Sequence, residues 1–129
     1  MVLAYERRTH FPTRIGNARF RVDDLGAVAV QVNREEPALG EDWSGAYSSR
    51  QPAIADARAR VEDLLSRYGF FTMPARTDEE YDDGFSEQLT YWDRAGAAHT
   101  VVVDRARLPA FRALVNALAA TLGITDELG

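Results

Sequence analysis

Apolar residues recur along this chain at two different spacings, and each spacing predicts a different element. From Gly26 to Asn33 the valines Val28, Val30 and Val32 alternate with Ala27, Ala29 and Gln31. That period of two belongs to a strand with one buried face. Residues Phe85 to Trp92 alternate in the same way. A turn at Gly96 and a second strand from His99 to Val103 follow, which makes a hairpin. Shorter runs at 2–6 and 18–22 read as two further strands separated by a loop from Pro12 to Gly16. A short strand from Ala46 to Arg50 is expected to pair back on 26–33. Its hairpin then has a long tip from Arg34 to Ser44, which contains Pro37, Gly40 and four acids.

Elsewhere the spacing is three and four. Ile54, Ala57, Val61, Leu64, Leu65 and Tyr68 form one apolar stripe, with Arg58, Arg60, Glu62 and Asp63 on the remaining surface. Pro52 suits the first turn of this helix and Gly69 its left-handed stop. Phe111, Leu114, Val115, Leu118 and Leu122 make a second stripe, opened by Pro109 and closed by Gly123. Two amphipathic helices need a sheet face to cover. The expected fold is therefore α+β, a two-layer sandwich of two helices on one face of an antiparallel sheet of about four to five strands. Leu64, Leu65, Phe70, Phe71, Leu89, Val101, Val103, Phe111, Leu114 and Leu118 are the expected core. Residues 1–129 read as a single domain, with 1–25 an N-terminal extension and 124–129 a fraying tail. No internal repeat is evident.

Composition narrows the function classes. The chain has 129 residues, 46% apolar and 27% charged, the balance of a folded protein with an ordinary core. It has no cysteine, which excludes disulfides and thiolate metal cages. All 15 basic residues are arginine, a bias expected of a GC-rich bacterial genome, and without lysine there is neither Schiff-base nor P-loop chemistry. A net charge of −5 disfavours nucleic acid. Glu6 interrupts the short Val2–Tyr5 run, and no apolar stretch approaches a membrane span, so a cytoplasmic protein without membrane contact is expected.

Candidate chemistry is sparse. The acidic run Asp78-Glu79-Glu80-Tyr81-Asp82-Asp83-Gly84 fails the calcium-loop template: with Gly84 sixth, Tyr81 is third and Thr90 twelfth. The two histidines, His10 and His99, are too few for a standard zinc site, and His99 at a strand start reads as structural. The serines lack nucleophile-elbow spacing. No cofactor, metal or catalytic set is expected, and the chain reads as a non-enzyme. Trp43, Tyr47, Tyr81 and Trp92 are candidate interface aromatics, with Trp92 better suited to packing on the sheet.

Several residues together carry a resemblance: Phe70-Phe71-x-Met73-Pro74 after a helix, then Phe85, Leu89 and Tyr91 in one strand. His99-Thr100-Val101 with Asp104 in the next strand, and Pro109 and Leu114 in the last helix, complete it. Over about the C-terminal two thirds, the chain is similar to the emfourin family of bacterial proteins. That resemblance implies inhibition of a thermolysin-like, protealysin-type zinc metalloprotease by a monomer or weak homodimer. It singles out no loop residue. Loop chemistry nominates Glu41, Asp42 and Trp43, together with Asp82 and Asp83, as partner-binding. The carboxylates suit a zinc or a basic rim, and Trp43 suits an apolar pocket. An immunity-type or antitoxin-like interaction protein, or a self-associating module, is the alternative.

Overall fold

The computed structural model describes residues 1–9, 17–33, 48–51, 53–78 and 85–128. Its strands are β1 (Leu3–Thr9), β2 (Asn17–Val22), β3 (Val28–Asn33), β4 (Ser48–Gln51), β5 (Arg76–Asp78), β6 (Phe85–Trp92) and β7 (Ala98–Asp104). Its helices are α1 (Ala57–Arg67), α2 (Pro109–Leu122) and the short α3 (Thr125–Leu128), with a 3-10 turn at Phe70–Thr72 after α1. The fold is α+β, but among the described residues the sheet has seven strands, in the order β4-β3-β2-β1-β6-β7-β5, and not four to five. It is antiparallel except where β5 runs parallel to β7. The three residues of β5 are too few to show an alternation, so the sequence pattern does not mark them as a strand.

Register explains the core. Val28, Val22, Leu3, Tyr91 and His99 form one row across five strands, and Val30, Phe20, Tyr5, Leu89 and Val101 form the next. Side chains in both rows point to the same face, because strand residues two apart share a face. Phe111, Leu114, Leu118 and Leu122 of α2 and Val61, Leu64 and Leu65 of α1 cover that face in one hydrophobic cluster. Each such side chain stabilises the fold by about 1.5–3 kcal/mol relative to exposure. Phe71 departs from the expected core and is 43% exposed, because the 3-10 turn sends Phe70 inward and its neighbour out.

Two readings of the termini are corrected. Residues 1–25 are no appendage: β1 is the middle strand of the sheet and β2 lies beside it. Nor does the tail fray over 124–128. Ile124 is fully buried, Leu128 is buried, and the Leu128 carbonyl accepts a hydrogen bond from Arg7 Nη2 at 3.2 Å. Gly123, at φ 72°, turns the chain back so that Ile124 reaches the core and its N–H bonds the Ala119 carbonyl at 2.9 Å.

The two hairpins β2–β3 and β6–β7 close with the same sequence grammar, Asp23-Asp24-Leu25-Gly26-Ala27 and Asp93-Arg94-Ala95-Gly96-Ala97. In each, the Asp Oδ1 accepts the N–H groups two and four residues on, all at 2.9 Å. In each, the glycine adopts a left-handed conformation, φ 84° at Gly26 and 86° at Gly96. The recurrence escaped sequence reading because only the Asp, Gly and Ala positions repeat. Among the described residues no helix is long and apolar enough to cross a membrane.

Candidate functional site: the loop end of the sheet

The two Asp-Gly turns lie at one end of the sheet. At the opposite end the register brings together every boundary of the three longer inter-strand connections. Asn33 pairs with Asn17, Thr9 with Phe85, Ser86 with Arg8 and Asp104, and Asp104 with Asp78. Connections 10–16, 34–47 and 79–84 therefore leave and rejoin the sheet on the same side. Glu41, Asp42 and Trp43 fall within the second and Asp82 and Asp83 within the third. All five lie outside the described residues, as do His10, Tyr47 and Tyr81. Among the other candidates, Trp92 alternates with Tyr91 and so points to the face opposite the helices, half-buried. The His99 ring stands edge-on to Phe70 and Phe71, with centroids 5.0 and 5.5 Å away, which is a packing role.

Beneath the loop end sits a buried polar network that sequence reading did not single out. Arg7 and Glu87 occupy a row between Ala18 and Val103, on the helix-covered face where the neighbouring rows are apolar. Tyr5 Oη donates to Glu87 Oε2 at 2.6 Å, and Arg112, one turn into α2, donates to Glu87 Oε1. Arg7 ties the same cluster to the end of α3 through the Leu128 carbonyl. Burial, then the adjacent Glu87 carboxylate, push the Tyr5 phenol far above its ordinary pKa. Burial lowers Arg7, while Tyr5 and Glu87 act against it. For Arg112 burial is the largest single influence and works downward, yet Glu87 and Tyr5 together lift it above its ordinary value. Both Glu87 oxygens are occupied, so its chemistry is that of a tie between sheet and helix and not of a poised base. The available signal was an alternation of Leu3, Tyr5, Arg7 and of Glu87, Leu89, Tyr91, which puts a charge at an inward position of each strand.

Above this network, β7, the 105–108 connection and the start of α2 enclose a depression of about 320 Å³. Its apolar wall includes Val103, Leu108, Pro109 and Phe111, with Glu87 at its base and Arg107 and Arg112 at its rim. Arg105 holds a left-handed φ of 50° as the chain leaves β7. Beside it Asp104 accepts from Arg76 Nη2 at 3.0 Å, and Arg76 Nε also reaches Asp78 at 2.8 Å. These cross-links join the ends of β5 and β7 at the point where the 79–84 connection departs. Among the described residues no group of three or more His, Asp or Glu side chains is arranged to hold a metal ion. Comparison with protein-family models and with curated proteins finds no match to this chain.

Proposed function

We infer that this chain is a non-catalytic protein-binding protein that inhibits a thermolysin-like, protealysin-type zinc metalloprotease through the loop end of its sheet. The observation that carries the binding geometry is the common origin of connections 10–16, 34–47 and 79–84. The nearer anchors of the two acidic connections, β3 and β6, are three strand spacings apart, about 14 Å, while their other anchors, β4 and β5, are the two edges of the sheet. Loops rooted that close on a rigid sheet are able to meet one surface together. A loop whose ends are fixed loses less entropy on binding, which is how a small scaffold reaches high affinity. The target class rests on the emfourin resemblance. In this reading Glu41, Asp42, Asp82 and Asp83 approach the enzyme's zinc or basic rim, and Trp43 fills an apolar pocket. The protein acts in the cytoplasm as a monomer or weak homodimer, without cofactor.

The test is a titration of a protealysin-like protease from the same organism with the wild-type chain, Trp43→Ala and the double variant Asp82→Ala/Asp83→Ala. Inhibition by the wild type at or below micromolar concentration, weakened in at least one variant, is expected. Its absence with the wild type rejects the function, whereas equal inhibition by all three proteins retains the function and rejects these residues.

A further inference from the structure

A second surface lies at the turn end, away from the three loops. Trp92 N–H bonds the carbonyl of Val2, the residue before β1, at 2.9 Å, so Tyr91, one residue earlier, directs its backbone groups toward β7. On β7 itself, Val102 N–H bonds the Ala75 carbonyl at 2.9 Å and so points away from β6. Backbone direction alternates along a strand, hence the N–H and C=O groups of Ala98 and Thr100 also point outward. β5 begins its pairing only opposite Val102, leaving the stretch Ala98–Thr100 as an edge with no neighbouring strand among the described residues. Unpaired edge groups of this kind are a template for another strand.

The surroundings specify what fits. Residues 69–75 and 95–103 contain no Asp, Glu, Lys or Arg, although 27% of the chain is charged. Phe71, 43% exposed, is held edge-on against Tyr91 and His99 with ring centroids 5.7 and 5.5 Å away. A residue placed opposite His99 by an added strand shares the His99 face and arrives beside Phe71. A rigid aromatic of this kind loses little entropy when it is covered, the property of an interface anchor.

We propose that the outer edge of β7 at Ala98–Thr100, flanked by Phe71, is a strand-addition site for an extended, uncharged peptide segment of a partner protein. The alternating donors and acceptors select an extended backbone, and segments 69–75 and 95–103 offer no counter-charge, the neighbouring Arg58 being bonded already to Tyr91 Oη and the Trp92 carbonyl. The site is separate from the loop end, so its occupancy is independent of protease inhibition.

The probe is a capped, uncharged heptapeptide of alternating threonine and valine, added to isotope-labelled full-length chain and followed by amide NMR shifts. The Ala98 and Thr100 amides are expected to move most, with saturable binding weakened about tenfold by Ala98→Pro or by Phe71→Ser. Proline at the first residue of a strand keeps the β6–β7 pairing and removes one outward donor. A peptide N-methylated at alternate residues, which tests the same contact on the unaltered protein, is expected not to bind. Three results overturn the proposal: no shift at millimolar peptide, binding unaffected by both variants and by methylation, or concentration-dependent self-association that protects the same amides without peptide.

Discussion

The two Asp-x-x-Gly-Ala turns allow a controlled measurement of how tightly α1 is seated on the sheet. Gly26 and Gly96 have nearly the same backbone angle, and in both turns the residues on either side of the glycine donate their N–H groups to Oδ1 of the aspartate that opens the turn. Replacing either by alanine forces a side chain into the left-handed region, at about 1–2 kcal/mol. The reduced freedom of the unfolded chain is common to both variants and cancels between them. What differs is the space. A Cβ at Gly96 meets nothing within 4 Å, whereas at Gly26 it stands 2.6 Å from the Ile54 carbonyl oxygen and 3.1 Å from Ala57 Cβ. Those atoms belong to the chain entering α1, and the Gly26 carbonyl itself accepts the Ile54 N–H at 3.1 Å. Relieving the clash requires moving backbone at the start of the helix, a further cost of about 1–3 kcal/mol. Gly96→Ala should therefore lose about 1–2 kcal/mol and Gly26→Ala about 2–5 kcal/mol. In urea, with a slope of about 2 kcal/mol/M, the midpoints separate by roughly 0.5–1.5 M. Equal losses within about 0.5 kcal/mol, or a larger loss at Gly96, would falsify the close approach of α1 to the first turn.

The network under the loop end gives two more predictions. Glu87→Ala removes the carboxylate that accepts from the Tyr5 hydroxyl and from Arg112 Nη2. Because the Arg112 side chain is 41% exposed and partly solvated, the expected loss is about 2–4 kcal/mol, below the full cost of breaking a buried pair. A chemical-denaturation loss under about 1 kcal/mol would show that Glu87 does not tie the sheet to α2. The second concerns alkaline pH. Tyr5 stays protonated in the folded chain while the unfolded chain ionises near pH 10, so its contribution is full below about pH 10 and is lost above it. Between pH 9 and 11.5 the wild type should lose more stability than Tyr5→Phe, and parallel pH profiles would contradict the burial of that phenol.

The sequence by itself determined the elements whose periodicity has room to develop. The eight residues of β6 and the fourteen of α2 repeat their spacing often enough to fix both type and bounds, and Pro109 and Gly123 mark where the second helix starts and stops. It also determined most of the core, since inward positions of long elements are apolar for the same reason wherever they pack. Tertiary structure decided the rest. β1 is central because β6, distant in sequence, pairs with the side that its neighbour β2 leaves open, a choice that no local pattern encodes. β5 is a strand because Val102 and its neighbours supply partners for three residues that alone have no preference. The inward charges Arg7 and Glu87 become tolerable only once Tyr5, Arg112 and the Leu128 carbonyl converge on them, and the five groups together come from four separate elements. The grouping of three loops at one end is likewise a product of strand order and register. Local alternation sets which way a side chain points, whereas the partner it meets is set by contacts distant in sequence, whose free energy exists only in the assembled sheet.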